Sequence, residues 1–427
     1  MANDTIFAIS SGRPPAAIGV IRISGPDARR AGCALGGNLP AARSSALRRL
    51  RDPHSGGILD DALVLRFDSP ASATGEDVIE LHCHGGRAVI DAVLGALGSL
   101  EGLRPAEPGE FTRRAFENGR IDLTEAEGLA DLLEAETEAQ RRSALALAEG
   151  GLRRQIEVWL NTLLALSARA ELAIDYAGDH EEDDNEDLGE DCGRLAAELN
   201  AWLKRPRTEP LKNGVRTVIA GPPNAGKSSL LNALTGNDNA IVTAIPGTTR
   251  DVIEVPIAID GLPFLLIDTA GLRQSDDLIE AEGIARTGRS IVHADLILWL
   301  GEPDEAPKID EARLIQIRSK ADLASAEARP GLAVSAVTGL GIDLLLSELV
   351  GRGRMLLPGP DAIALNRRQW TSLSEVEASL GQASETADTA IQAELLRACR
   401  AEFDRVTGRA GVEDMLDALF GRFCLGK

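Results

Sequence analysis

Short apolar runs separated by glycine and proline fill the first part of the chain. Residues 18–23, 62–67 and 78–81 are each long enough for a strand and too short for a helix. The glycines and prolines between them mark turns. This pattern predicts a small α+β domain over residues 1–120.

Apolar residues take helical spacing from residue 122 onward. Asp122, followed three residues later by Glu125, resembles a capping box, and the helical spacing continues to about residue 148. A second long helix is predicted from about residue 152 to 176. The chain reads as helical again from Pro358 to about residue 420.

Strand-like and helix-like segments alternate between the two helical stretches, over residues 211–355. Such alternation is typical of a parallel α/β sheet. We therefore expect an α/β domain inserted into a helical domain made of residues 121–210 and 356–427. The predicted fold class is multidomain α/β, with an N-terminal α+β domain, a helical central domain and the inserted domain.

Length and composition limit the number of domains and the cellular environment that we expect. A chain of 427 residues is long enough for two to four domains. Its five cysteines lie far apart and include no CxxC pair, so neither a disulfide framework nor a zinc knuckle is indicated. No apolar stretch approaches the roughly 20 residues that cross a bilayer. We expect a soluble, cytoplasmic protein without a membrane span.

The net charge of −21 argues against a nucleic-acid partner on average. Residues 1–120, however, hold 14 arginines and 14 acidic residues, and the remainder holds 31 basic against 52 acidic residues. Any contact with RNA would need a local basic patch.

A phosphate-binding motif opens the α/β segment. The run from Gly221 to Ser228 matches GxxxxGK[ST] and follows a strand-like run. Glycines let the loop wrap phosphates with its backbone N–H groups, Lys227 supplies positive charge to the β- and γ-phosphates, and Ser228 can ligate Mg²⁺. The residues of this loop predicted to contact nucleotide are Asn224, Ala225, Gly226, Lys227, Ser228 and Ser229.

Two further motifs turn this site into a nucleotide switch. Residues 247–251 resemble a first switch in which Thr249 ligates Mg²⁺, and residues 268–271 supply the Walker-B carboxylate of Asp268. The contacts predicted for this region are Thr243, Thr248, Thr249, Asp268, Thr269, Ala270 and Gly271.

Residues 319–322 and 335–337 predict which nucleotide base the site prefers. Asp322 can accept both hydrogen bonds from the N1–H and 2-amino edge of guanine, which adenine cannot offer, so GTP is favoured. Ser319 stands where guanine-binding proteins of this type carry asparagine, and we expect lower affinity from it. The predicted contacts are Ser319, Lys320, Asp322, Ser335, Ala336 and Val337. The inserted domain is therefore predicted to be a Ras-like P-loop G domain.

The ends of the chain identify a relationship. The last five residues read FCLGK, residues 20–25 read VIRISG, residues 80–86 read ELHCHGG and residues 118–123 read NGRIDL. Over nearly its full length the chain resembles the MnmE family of GTPases that modify the wobble uridine of tRNA.

The resemblance implies a distinctive way to hydrolyse GTP. Leu272 replaces the glutamine that orients the attacking water in Ras-like proteins. The family instead holds K⁺ once two G domains meet, and it uses a second-switch glutamate to hold the water. The implied K⁺ ligands are Asn224, Thr243, Ile245 and Thr248, and the implied catalytic groups are Glu280 and, ranked below it, Arg250. Asn224 as a turn stabiliser and Glu280 as a solvated acid are the structural alternatives.

The resemblance also implies a homodimer whose N-terminal domains bind 5-formyltetrahydrofolate or a related tetrahydrofolate one-carbon donor. With an FAD-dependent partner protein, members add an aminomethyl-type group to C5 of the wobble uridine. The implied folate-binding residues are Arg22, Glu80, Arg120 and Lys427, and Cys424 is the implied catalytic thiol. Alternatively, Arg22 and Glu80 form a structural ion pair and Cys424 has no chemical role.

A second class of function stays open. A regulatory or ribosome-assembly GTPase switch would need the nucleotide site alone. It would need neither the terminal CLGK nor the N-terminal motifs, so these segments discriminate between the two functions.

Overall fold

The structure is a computed structural model that describes residues 4–175, 183–237, 240–242, 253–268, 291, 293–323, 330–359, 362–410, 413–423 and 426. The chain divides into two compact units. The first unit combines Met1–Ala130 with Asp404–Lys427, and the second is Asp131–Phe403. The first unit is therefore built from both ends of the chain.

A six-stranded sheet forms the centre of the first unit. Its strands are β1 (Thr5–Ile9), β2 (Ile18–Ser24), β3 (Ser45–Arg51), β4 (Ile58–Phe67), β5 (Val78–His84) and β6 (Leu103–Pro105). Their order is β3-β4-β5-β2-β1-β6, and every pair is antiparallel except β1 with β6. The three predicted strands are confirmed within β2, β4 and β5.

Helices cover this sheet differently on its two faces. Helices α1 (Ala28–Gly36) and α2 (Arg87–Gly98) bury Ile21, Ile23 and Leu81 on one face. Because side chains alternate along a strand, Arg22 and Glu80 lie on the opposite face. On that face Ile6 and Ala8 pack against Phe111 of α3 (Glu110–Glu117).

The helical stretch from residue 122 to 148 is divided into two helices. The capping box of Asp122 and Glu125 is confirmed: Glu125 N–H donates to Asp122 Oδ1 at 2.9 Å, and Asp122 N–H donates to Glu125 Oε2 at 2.7 Å. Helix α4 (Leu123–Glu134) then ends, and α5 (Glu138–Ala148) begins with a second capping box of Thr137 and Gln140. Thr137 caps the backbone locally instead of continuing the helix, which explains the interruption.

A seven-stranded sheet forms the α/β part of the second unit. Its strands are β7 (Val215–Ala220), β8 (Ala240–Val242), β9 (Ile253–Ile259), β10 (Leu262–Asp268), β11 (Leu296–Trp299), β12 (Leu314–Arg318) and β13 (Leu332–Ala333). The order is β13-β12-β11-β7-β10-β9-β8, and all pairs are parallel except those that β9 makes. The predicted parallel α/β sheet is confirmed.

Helices before and after this sheet pack on each other. The remaining helices are α6 (Gly151–Asp175), α7 (Asp183–Leu203), α8 (Glu209–Asn213), α9 (Lys227–Thr235), α10 (Ile342–Leu356), α11 (Arg367–Glu385), α12 (Thr389–Thr407) and α13 (Glu413–Phe420). Helices α7 and α11 are in extensive contact, and Asn200 Nδ2 donates to Glu377 Oε1 at 3.0 Å. The predicted insertion of the α/β domain into a helical domain is thereby confirmed. Among the described helices, none is long and apolar enough to cross a membrane.

Candidate nucleotide site

The loop between β7 and α9 has the geometry of a phosphate-binding loop. Gly221 and Gly226 adopt φ of 147° and 96°, and Asn224 between them has φ 60°. Lys227, only 9% exposed, donates from Nζ to the carbonyl oxygens of Gly221 and Pro222, both at 2.8 Å. The ammonium group is thus held over the loop at the start of a helix, where backbone N–H groups favour an anion.

Two side-chain oxygens that could ligate a metal ion lie close together beside this loop. Ser228 is the second residue of α9, and Asp268 is the buried last residue of β10. Strand β10 pairs directly with β7, and Ser228 Oγ donates to Asp268 Oδ2 at 2.7 Å. A hydroxyl and a carboxylate beside a phosphate loop are hard oxygen ligands that fit Mg²⁺.

The two segments predicted to contact guanine lie next to each other. Ala321 N–H donates to Val334 O at 3.2 Å, and this bond joins residues 319–322 to the residue directly before residues 335–337. Ser335 is fully buried, and its Oγ accepts from Thr338 N–H at 3.2 Å. Asp322 is exposed, so its carboxylate is accessible to a base.

Ser319 contacts the phosphate loop directly. Its Oγ donates to Ala225 O at 2.7 Å, and the neighbouring Lys320 donates from Nζ to Asn224 O at 2.8 Å. The serine therefore bridges the base-recognition segment to the phosphate loop even though its side chain is shorter than asparagine.

Replacing Ser319 with alanine is expected to weaken GDP binding about fivefold to tenfold, because one hydrogen bond of about 1 kcal/mol is lost from the loop. Titration with a fluorescent GDP analogue measures this. Ser347→Ala is the matched control, since Ser347 Oγ also donates to a backbone carbonyl, that of Asp343, in α10. Equal affinities for the two variants would contradict a role of Ser319 in the site.

Several predicted site residues lie outside the described part of the chain. They are Thr243, Ile245, Thr248, Thr249, Arg250, Thr269, Ala270, Gly271, Glu280, Cys424 and Lys427. Their assigned roles stay predictions, as do those of the described site residues.

Arg22 and Glu80 of the N-terminal sheet form an ion pair. They are register partners on β2 and β5, and Arg22 Nε and Nη2 donate to Glu80 Oε1 at 3.0 and 2.9 Å. The guanidinium also lies 5.7 Å from the ring centroid of Phe111, a neighbour that the sequence analysis did not identify. Arg120 is exposed and lies beside Gly75, where a Cβ would be 3.1 Å from Arg120 Cγ.

Gly426 of the C-terminal motif contacts the chain at the end of the first strand. Gly426 O accepts from Ser10 Oγ at 2.8 Å, and Gly426 has φ 91°. A side chain at Gly426 would collide with the carbonyl oxygen of Ile9, so glycine is required there. Ile9 pairs with Ile21, the residue before Arg22. Gly426 thus lies in the same unit as the Arg22–Glu80 pair.

Three buried cysteines, Cys83, Cys192 and Cys399, do not favour thiolate chemistry. Burial raises the pKa of Cys83 to about 12 and that of Cys399 to about 12, and it also raises the pKa of Cys192. These three side chains stay protonated at neutral pH and are poor nucleophiles.

A P-loop with a bonded serine and aspartate, next to the segments predicted to contact guanine, defines a P-loop GTPase whose G domain is inserted into a helical body. Two family models match the chain, "GTP-binding protein TrmE N-terminus" over residues 5–120 and "MnmE helical domain" over residues 123–424. The chain belongs to the MnmE family.

Curated relatives match over the full length. The tRNA modification GTPase MnmE of Erythrobacter litoralis (strain HTCC2594) is 56% identical, covering 99% of this chain and 100% of the relative. That of Zymomonas mobilis subsp. mobilis (strain ATCC 31821 / ZM4 / CP4) is 54% identical, covering 99% of this chain and 100% of the relative. This confirms the resemblance drawn from the motifs.

Proposed function

We propose that this protein hydrolyses GTP and acts in tRNA modification by adding an aminomethyl or carboxymethylaminomethyl group to C5 of the wobble uridine of certain tRNAs. The observation that carries the proposal is the nucleotide site of Lys227, Ser228, Asp268 and Ser319, set in a chain that matches tRNA modification GTPases from end to end. The protein works as a homodimer with an FAD-dependent partner and a tetrahydrofolate one-carbon donor.

Several side chains of this protein have separate roles in GTP hydrolysis. Lys227 attracts the β- and γ-phosphates, Ser228 and Thr249 hold Mg²⁺, and Asp268 orients Ser228 through their hydrogen bond. Bound Mg²⁺ neutralises charge on the phosphate oxygens. Asp322 selects guanine, and Glu280 holds the attacking water that Leu272 cannot. Arg250 supports the switch.

The absence of the usual glutamine makes K⁺ necessary. Asn224, Thr243, Ile245 and Thr248 supply oxygen ligands for K⁺, whose charge takes the place of an arginine finger. We expect GTP turnover at least about tenfold faster in KCl than in NaCl of the same ionic strength, since charge stabilisation of this kind is worth several kcal/mol. Equal rates in the two salts would refute the proposal.

The Arg22–Glu80 pair is the proposed folate site. A carboxylate suits the pterin edge, and Arg22, Arg120 and Lys427 suit the glutamate tail. Cys424 is the proposed thiol near the reacting carbon. The contact of Gly426 with Ser10 supports this assignment, because it brings Gly426 of the terminal motif into the unit that contains Arg22.

Arg22→Ala is expected to weaken binding of 5-formyltetrahydrofolate about tenfold to a hundredfold, because a charge-assisted contact of about 1.5–3 kcal/mol is lost. Calorimetric titration of the full chain measures this. Arg49→Ala is the control: Arg49 and Asp61 are also register partners and also paired, on β3 and β4, but both side chains are exposed. A wild-type protein that hydrolyses GTP but does not bind the folate would instead favour a regulatory or ribosome-assembly switch.

Nucleoside analysis of tRNA tests the whole proposal. Cells that lack this protein should lose the C5 substituent of the wobble uridine, and the Asp268→Asn protein should not restore it. Unchanged nucleosides in the deletion strain would overturn the proposed function.

A further inference from the structure

Two short segments of the second unit concentrate positive charge. Residues 199–208 and 362–374 together contain five cationic residues and no acidic residue, in a chain with 45 basic and 66 acidic residues. The five are Lys204, Arg205, Arg207, Arg367 and Arg368. Such a concentration stands out against the negative average.

Hydrogen bonds join these segments side by side. Trp370 Nε1 donates to Leu203 O at 3.2 Å, and Thr208 N–H donates to Leu365 O at 3.2 Å. The bonds lie at both ends of residues 203–208, so this segment runs along the start of α11. Its cations therefore share one surface with Arg367.

Two of the arginines are stacked on tryptophan rings. Arg205 Cζ lies 3.9 Å from the centroid of Trp202, and Arg207 Cζ lies 4.0 Å from that of Trp370. Trp202 packs edge-on against the fully buried Trp159, with centroids 5.3 Å apart. Stacking orders a guanidinium through its flat face and leaves its N–H edges available as donors.

Four of the five cations have no carboxylate partner among the residues that the structure describes. Lys204, Arg205, Arg207 and Arg367 are exposed, and within the described ranges none of them forms an ion pair. Elsewhere arginines of the same unit are neutralised, as Arg141 and Arg142 are by Glu138. Ordered, unneutralised guanidinium groups are suited to bind phosphate from another molecule.

We propose that this stacked-arginine surface, formed by Lys204, Arg205, Arg207 and Arg367, binds the phosphate backbone of tRNA. The inference rests on the proposed function and assigns it an RNA-binding surface. Contacts to phosphates position an RNA without reading its sequence, so the surface serves different tRNAs alike. A membrane fits less well, because the two segments expose no large apolar side chain to enter a bilayer.

Arg205→Glu with Arg207→Glu is expected to lower the affinity of the full chain for an unmodified tRNA transcript at least about tenfold, and to reduce the slope of log affinity against log salt by about 2. Fluorescence anisotropy with labelled transcript at several KCl concentrations measures both. GTP hydrolysis should be unchanged, which shows that the variant is folded. Arg205→Lys with Arg207→Lys keeps the charge but loses the stacking of the guanidinium groups. The affinity of this variant for tRNA should lie between that of the wild type and that of the Arg205→Glu and Arg207→Glu protein.

Arg154→Glu with Arg400→Glu is the matched control, since both arginines are exposed in the second unit and the charge change is identical. Its affinity should stay within about twofold of wild type. An equal loss of tRNA affinity in this control would contradict the proposed binding surface. Wild-type protein whose tRNA binding does not depend on salt would contradict it as well. So would binding to phosphatidylglycerol vesicles but not to tRNA.

The same variants separate this inference from the proposed function. Wild-type levels of tRNA binding by the Arg205→Glu and Arg207→Glu protein, together with loss of the wobble modification in the deletion strain, would refute only the surface. Weakened binding by that variant with unchanged tRNA in the deletion strain would refute only the function.

Discussion

Lys227→Met is expected to lower the GTP hydrolysis rate at saturating GTP by a factor of about 100 to 1,000, the usual effect of removing one preorganised charge from the transition state. Methionine keeps most of the buried side-chain volume and removes the ammonium group. In the structure this group already bonds to the carbonyl oxygens of Gly221 and Pro222, so its position at the loop is fixed by the protein. Single-turnover hydrolysis measures the rate.

Lys308→Met provides the comparison for this experiment. Lys308 lies in the same inserted domain, in the connection between β11 and β12, and it is exposed. Its variant should hydrolyse GTP at the wild-type rate. A Lys227→Met protein with more than about a tenth of wild-type activity would show that the loop holds phosphate without the lysine.

Arg114→Met is expected to destabilise the first unit by about 3–5 kcal/mol, because it breaks a buried ionic network and removes Arg114 from Glu76, although Arg104 still pairs with Asp4 and Glu110. The Arg114 side chain is 3% exposed, and it donates to Asp4 Oδ1 at 2.8 Å, to Glu110 Oε1 at 3.0 Å and to Glu76 at 3.3 Å. Hydrogen-exchange mass spectrometry of residues 4–130 measures the loss, as amide protection lower by about two to four orders of magnitude.

The adjacent arginine on the same helix is the control. Arg113 pairs with Glu117 and Asp417, but its side chain is 39% exposed. Because solvent screens such pairs, Arg113→Met should cost less than about 1 kcal/mol. Equal losses of protection in the two variants would contradict the special role of the buried network.

Acid should weaken the same network. Burial raises the pKa of Glu110, but hydrogen bonds from Arg104, from the Glu107 N–H and from Arg114 outweigh burial and leave that pKa below its ordinary value. The pKa of Asp4 is lowered in the same way by Arg104 and Arg114 against the effect of burial. A carboxyl with a lowered folded-state pKa stabilises the fold fully above its unfolded pKa, about 4, and loses that contribution as the pH falls. Protection in the wild type should therefore fall below about pH 4 more steeply than in Arg114→Met.

The parts of the fold that could be predicted from sequence are those determined locally. Apolar periodicity located β2, β4 and β5, and the Asp122 capping box located the start of α4. Strand β3 was not predicted because its pattern is largely charged, and the break before α5 depends on a single threonine that competes with helix formation.

In the nucleotide site, too, local features could be predicted from sequence and contacts between distant residues could not. Motif spacing identified Lys227, Ser228 and Asp268, because a strand–loop–helix motif places its own residues. It did not reveal that Ser319 reaches Ala225, a hydrogen bond between residues 94 positions apart. The Arg114 network also joins distant segments, residues 4, 76 and 110, and no local pattern reveals it.

The contact of Gly426 with Ser10 has a consequence for protein synthesis. Strand β1 emerges from the ribosome early, yet residues 404–426 of its unit follow only after all of Asp131–Phe403 has been made. At translation rates of about 5–20 residues per second, that interval is on the order of tens of seconds. During it the apolar surface that later contacts Leu416, Phe420 and Phe423 has no partner from its own chain. The nascent N-terminal unit is therefore exposed to chaperones and proteases until the last helix arrives.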